Sequence, residues 1–231
     1  MNDSKPLDGS ILNELSKYDS ATVQNAAILV QGYSNHSDDY SDPTLKQYVE
    51  SKKTIVGYAL TSKWTPLYEK EHINDNKLDF LDNIFKMKIP VIPVLSDVES
   101  LPNRGAIMGD GMAYQMKSLG SVGVVVGGNA RDIKGIKDAG LPLWATGHVP
   151  GHGPFQMIEH GTTVEVADLK INQGDILVCD YDGITRIEIN IVNDVIKMCK
   201  EVRKKEKKLH KYFSEKVSRS DWENWKKESS I

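Results

Sequence analysis

Cysteine is almost missing from this chain. Only Cys179 and Cys199 occur in 231 residues, with no Cys-x-x-Cys spacing, which excludes a disulfide framework and a thiolate zinc site and leaves two reduced core thiols. Long apolar runs are absent too: none approaches the roughly 18 residues that a membrane-spanning helix needs. The opening MNDSKPLDGS has no basic flank leading into an apolar stretch, so nothing reads as a secretory signal and a cytoplasmic location without membrane contact is expected. Charge of one sign is also lacking. A net charge of -3 argues against a nucleic-acid binder that works by neutralising phosphates, although residues 191–231 are locally basic. No internal repeat or low-complexity tract stands out.

What is present suffices for one good core, so a single domain over residues 1–231 is expected, with 191–231 as an appended helical extension. Helical periodicity runs from Leu7 to Tyr18, and Asp19-Ser20 is placed to cap a second helix reaching about Leu29. The polar stretch from Gln31 to Pro43 reads as a loop. Strand signals follow at Thr54 to Leu60 and at IPVIPVL (Ile89 to Leu95), with an apolar-periodic helix between them around Leu78 to Met87. The two prolines of IPVIPVL predict an edge or irregular strand.

Next come a helix over Asp110 to Leu119, the strand VGVVV (Val122 to Val126), a helix over Arg131 to Asp138 and the strand LPLWAT. That β-α-β-α-β order predicts parallel strands. After Gly147 the segments PFQMIEH, TTVEVAD, DILVCD and ITRIEI, separated by Gly and Asp turns, predict antiparallel strands. From Val192 a long helix is expected, apolar on one face (Val192, Val195, Ile196, Cys199) and then heavily charged. The class is mixed α/β.

In an open parallel sheet the loops beyond the strands' carboxyl ends gather on one edge, where ligands bind. Arg131-Asp132 lies on such a loop, and Gly109-Asp110-Gly111-Met112 opens the preceding helix at another. Unpaired N–H groups at two helix starts can seat a carboxylate. Gly109 and Gly111 let a ligand approach the main chain. Asp132 offers the hard oxygen that Mg²⁺ or Mn²⁺ accepts, with Asp110 supporting it directly or through water. Arg131 offers a planar cation to a carboxylate or enolate oxygen. A plainer reading uses the same residues: Asp at a helix start commonly caps it, and an exposed Arg–Asp neighbour pair contributes little. On the residues alone both readings stand.

One Asp, twenty intervening residues and then Arg-Asp, set in GDGMAYQMKSLGSVGVVVGGNARDIKGIKDAGLPLWATG and followed by QGDILVCDYDG, resembles the class II pyruvate aldolases acting on 4-hydroxy-4-methyl-2-oxoglutarate and 4-carboxy-4-hydroxy-2-oxoadipate. Their relatives are the regulators of ribonuclease activity, the RraA-like group. The resemblance covers roughly Gly105 to Glu206. It implies a swivelling β/β/α sandwich with a long C-terminal helix, assembled as a homotrimer or homohexamer with sites between subunits. It also implies a divalent-metal-dependent lyase that cleaves a 4-hydroxy-2-oxo acid to release pyruvate, with oxaloacetate decarboxylation through the same enolate.

Carried over by position, the resemblance makes Asp132 the metal ligand and Arg131 the substrate contact. Asp110, together with Glu206, would position metal-bound water as the general base on the 4-hydroxyl, and the backbone from Gly109 to Met112 holds the substrate carboxylate. Glu206, or Glu201 if the alignment slips, would reach in from a neighbouring subunit's C-terminal helix. Two other outcomes stay open: a non-catalytic regulator that binds a ribonuclease, or a same-fold lyase for another oxo or sugar acid. The regulators tend to lack the Asp after the Arg and the extended helix, and both are present here.

The chain also departs from the pattern. A Gly-Asp-Asn motif common in the family's first half is replaced by SKWTPLYEKEHINDNK, and the turn after LPLWAT reads GHVPGHGPFQMIEHG. His148 and His152 have the spacing of ligands on a helix, but Pro150, Gly151 and Gly153 oppose a helix there. A pocket-lining loop in which one His makes a hydrogen bond is expected instead. Trp222 and Trp225 are expected to pack a C-terminal turn or an interface.

Overall fold

The structure is a computed structural model, and it describes residues 9–65, 76–153 and 155–229. Its centre is a nine-stranded mixed sheet. Four strands lie parallel in the order β6 (Leu143–His148), β5 (Val124–Ala130), β3 (Val91–Asp97) and β2 (Ile55–Thr65). The helices α4 (Lys77–Met87), α5 (Asp110–Leu119) and α6 (Ile133–Asp138) fall between them in sequence, as a β-α-β alternation requires. Antiparallel strands flank this set: β1 (Lys46–Val49) on β6, and the hairpin β10 (Ile176–Asp180) and β11 (Gly183–Ile187) beyond β2. Short β4 (Ala106–Met108) adds to the end of β5, and β7 (Gln156–His160) pairs with the end of β2. The ribbon β8 (Val164–Val166) and β9 (Leu169–Ile171) forms a separate two-stranded sheet.

Alternation along the strands explains the layers. Tyr58, Leu60, Val91, Leu95, Val124, Val126, Leu143 and Ala145 join the core beneath the helices. Their neighbours Ala59, Ile92, Val94, Val125 and Trp144 join a second core with Val164, Val166, Leu169 and Ile171 of the ribbon. Successive side chains point to opposite faces, so strands covered on both sides read as continuous apolar runs. The result is sheet between ribbon and helices, the expected β/β/α order.

For IPVIPVL, read as an edge or an irregular strand, β3 excludes the edge and bears out the irregular strand. It lies between β2 and β5. Proline is accommodated because the β3–β5 ladder is broken between the Val91–Ser121 bridge and Val94, and Pro93 falls in that gap, where no N–H is required. The Gln31 to Pro43 stretch is also not all loop, since α3 (His36–Asp39) forms within it.

The N-terminal helices are α1 (Gly9–Leu15) and α2 (Ser20–Gln31). Asp19 caps α2 as expected, accepting from the Thr22 amide at 2.7 Å. Asp180 holds the same helix start from far along the chain, accepting from the Ser20 amide and hydroxyl at 2.6 and 2.7 Å. Helix α7 (Val192–Tyr212) buries Val192, Val195, Ile196, Cys199 and Val202, a single stripe at helical spacing. Beyond Val202 it leaves the body, and α8 (Arg219–Ser229) folds back beside its end. There Trp222 and Trp225 stack at 5.4 Å and Phe213 packs edge-on to Trp225 at 5.2 Å. No described helix is long and apolar enough to cross a membrane.

Candidate active site

A cavity of about 310 Å³ opens at the carboxyl edge of the parallel strands, lined by β4, the start of α5, Arg131, Asp132, and Lys77, His152 and Phe155. Two strands end at this edge for a local reason. The Arg131 amide donates to the Met108 carbonyl at 2.9 Å, which ties the β5 exit to the β4 exit and brings Gly109 beside Arg131 and Asp132.

Asp132 is the decisive residue. It occupies the N-cap position of α6, yet its side chain makes no capping bond. Its backbone is left-handed, with φ 56 and ψ 40, a conformation that costs a non-glycine residue about 1–2 kcal/mol. The expectation of a simple cap is therefore not met. The carboxylate turns toward the cavity, where its Oδ2 accepts from Arg131 Nε at 2.8 Å. Asp132 and Arg131 remain 39% and 31% exposed, so the pair adds little to stability.

Gly109 leaves the room this requires. A Cβ there would sit 3.1 Å from Asp132 Oδ2 and 3.3 Å from Arg131 Cγ. The first-turn amides of α5 have no backbone partners within the helix, and Gly111 and Met112 line the cavity. Asp110 spends its own carboxylate locally: Oδ1 accepts from the Gly111 amide at 2.7 Å. Its other oxygen lies against α6, where a Cβ on Gly135 would come within 2.5 Å of it. Asp110 thus stands at the junction of the two helices but is not among the residues that line the cavity.

Glu206 and Glu201 are not among the residues that line this cavity. Both lie on α7, where Glu206 accepts from Arg203 at 3.3 Å and Glu201 lies 3.9 Å from Lys204. The three histidines diverge. His148 packs edge-on to Tyr48 at 5.1 Å and His160 lies 6.0 Å from Phe80, whereas His152 alone of the three lines the cavity. No cluster of three or more His, Cys, Asp or Glu side chains suited to a metal occurs among the described residues.

Sequence reasoning missed Lys77, Gln115 and Phe155. The 111, 112, 115 spacing marks one face of α5 and was a usable signal for Gln115. Lys77 and Phe155 meet only in space, with the Lys77 ammonium 5.5 Å from the ring centre. Most of the SKWTPLYEKEHINDNK departure, residues 66–75, lies outside the described residues.

A family model described as RraA-like, Aldolase/RraA, matches residues 21–186. The chain belongs to this family. An uncharacterised protein of Methanocaldococcus jannaschii is 25% identical to it over 171 residues, covering 71% of this chain and 76% of the relative. Protein DlpA of Legionella pneumophila is 22% identical over 157 residues, 67% of this chain but a quarter (25%) of DlpA.

Among solved structures, an uncharacterised Pseudomonas syringae protein superposes with a TM-score of 0.74 at 22% identity, covering 93% of this chain and 92% of that one. Streptomyces coelicolor RraAS2, described as an unusual member of the RNase ES inhibitor RraA protein family, gives a TM-score of 0.71 at 19% identity over 88% and 97% of the chains. These likenesses show the RraA-like fold. The family's description spans an aldolase and RraA, so membership leaves the chemistry to be read from the site.

Proposed function

We propose that this RraA-like protein is a divalent-metal-dependent lyase that cleaves a carbon–carbon bond of a 4-hydroxy-2-oxo acid to release pyruvate, with oxaloacetate decarboxylation as a second outcome of the same enolate. The observation that carries the reading is Asp132, held left-handed with its carboxylate freed from capping and set beside Arg131 in the cavity. Backbone strain of this kind persists where the surroundings enforce it, and it concentrates at functional sites.

A lone carboxylate suits Mg²⁺ or Mn²⁺, which complete their coordination with water and substrate oxygens, and it does not suit zinc with its several protein ligands. Asp132 is the residue that would hold such an ion. When bound, the ion supplies Lewis-acid stabilisation of negative charge on the substrate's oxygens.

The chain's own groups supply the rest. Amides at the start of α5, from Gly109 to Met112 but without that of Gly111, which Asp110 holds, receive the substrate carboxylate through the partial positive charge of the helix end. Arg131 faces the C2 oxygen and stabilises the enolate, an effect for which loss of one such donor costs about 10²- to 10³-fold in turnover. Asp110 braces the junction of α5 and α6 and orders water near it. Glu206, or Glu201, adds a carboxylate to the site of an adjacent protomer in a homotrimer or homohexamer, giving the part of α7 beyond Val202 a role outside its own chain.

A panel of 2-oxo acids assayed for pyruvate with and without chelator tests the reading. Release that needs Mg²⁺ or Mn²⁺ and disappears in Asp132→Ala is expected. Unchanged turnover in Asp132→Ala refutes it, and capture of a ribonuclease with no turnover on any substrate supports the regulator instead.

A further inference from the structure

A retro-aldol cleavage needs a base for the substrate's hydroxyl proton, and the two carboxylates that the resemblance would use to position a water for that task, Asp110 and Glu206, do not line the cavity of this chain. Among the described residues that line the cavity, two carry a basic side-chain group: the Asp132 carboxylate and the His152 imidazole. Asp132 Oδ2 is engaged by Arg131, and the other ionised groups on the wall, Arg131 and Lys77, are cations without a free electron pair.

His152 is oriented from three directions. The carbonyl before it, Gly151, accepts from the Ala106 amide at 2.9 Å and so fixes the loop to β4. The ring stands edge-on to Phe155, at 5.4 Å and 82°. Its Nδ1 lies 2.7 Å from the Gly153 carbonyl, which also accepts from the Phe155 amide at 2.8 Å. A carbonyl cannot donate, so the hydrogen of the His152 bond sits on Nδ1. The neutral ring therefore keeps its electron pair on Nε2.

We propose that His152 is a catalytic residue, the base that takes the proton from the 4-hydroxyl of the substrate; this rests on the lyase reading above. The proton passes to Nε2, and the O–H electron pair becomes the new C=O bond of the departing fragment. The C3–C4 pair moves into a C2–C3 double bond, and the C2 oxygen takes up the negative charge beside Arg131. The imidazolium then returns one proton to C3, which yields pyruvate and restores the neutral ring. Oxaloacetate has no hydroxyl proton to lose: its C3–C4 pair moves into the C2–C3 double bond as CO2 departs and the enolate takes its C3 proton from solvent, so this reaction asks no base of His152.

That difference supplies the test. Turnover of 4-hydroxy-4-methyl-2-oxoglutarate and of oxaloacetate is measured with Mg²⁺ for the full chain, for His152→Gln, which keeps the reach but cannot carry the proton, and for His152→Ala. The ratio of aldol to decarboxylase turnover is expected to fall in His152→Gln by about 10²- to 10⁴-fold, the range of general base catalysis. Added imidazole is expected to restore aldol turnover in His152→Ala. An unchanged ratio, with both reactions falling together, overturns the role of His152 and leaves the lyase reading standing. A full chain inactive on both substrates overturns the lyase reading, and this assignment with it.

Discussion

Replacing Asp132 by glycine separates what this residue does for the fold from what it does for chemistry. Its φ of 56 and ψ of 40 place it where a side chain costs about 1–2 kcal/mol, and glycine sits there without that cost. Against this relief stands the greater freedom of glycine in the unfolded chain, worth about 0.4–1 kcal/mol. The lost Arg131 contact subtracts little, because both partners are about a third exposed and exposed pairs contribute about 0–1 kcal/mol.

The sum predicts that Asp132→Gly lies between about 1 kcal/mol less stable and about 1.6 kcal/mol more stable than the parent, a change in Tm of about −4 to +6 °C for a chain of this size. Pyruvate release is expected to vanish in the same variant. Thermal unfolding followed by circular dichroism gives the first quantity, and a coupled pyruvate assay gives the second. Asp132→Asn provides a control, since Asn tolerates the left-handed backbone and removes only the charge. A loss of more than about 1 kcal/mol in Asp132→Gly would mean that the carboxylate supports the helix after all, beyond the scatter of ordinary surface changes, and would refute the reasoning.

Two further outcomes follow from groups outside the cavity. Burial raises the Asp19 carboxyl, but hydrogen bonds from Thr22 and the Arg203 guanidinium outweigh it, so the net shift is downward from the usual aspartate value. A depressed folded-state value means that its stabilisation is present above the unfolded-state pKa and is lost as pH falls through the folded one. Asp19→Ala is therefore expected to cost about 1 kcal/mol at neutral pH, mostly from the cap. In urea titrations its deficit relative to the parent shrinks as the pH approaches 3; a deficit that stays constant into acid contradicts this. Burial also pushes the Cys199 thiol up to about 12 and Cys179 well above its ordinary range. Both are expected to resist a thiol-exchange reagent at pH 8 in the folded protein and to react at once in denaturant, because the thiolate is the reactive form. Rapid labelling of either in the folded state would contradict their burial.

The sequence shows the architecture where spacing is local. The alternation that divides Val124, Val125 and Val126 between two cores, the Asp19 cap and the apolar stripe of α7 all follow from periods of 2 and 3.6. Strand order is less visible, because it depends on which distant edges pair. The central place of β3 was masked by Pro93, whose missing N–H falls where no ladder bond is needed. At the site, Arg131-Asp132 was legible as a loop pair, but a left-handed Asp132 is a property of how β4 and β5 exit together. The partnership of Lys77, His152 and Phe155 joins segments far apart in sequence, and no single-segment pattern encodes it.

The contact between Ser20 and Asp180 has a consequence for how the chain is made. Helix α2 emerges early, but the carboxylate that holds its first turn follows 160 residues later, and Thr185 then adds a hydroxyl bond to the Ser20 carbonyl. At roughly 5–20 residues per second on the ribosome, that leaves on the order of ten seconds during which the nascent helix has no lasting anchor. An early apolar segment exposed for that long is a natural client for a chaperone acting during translation.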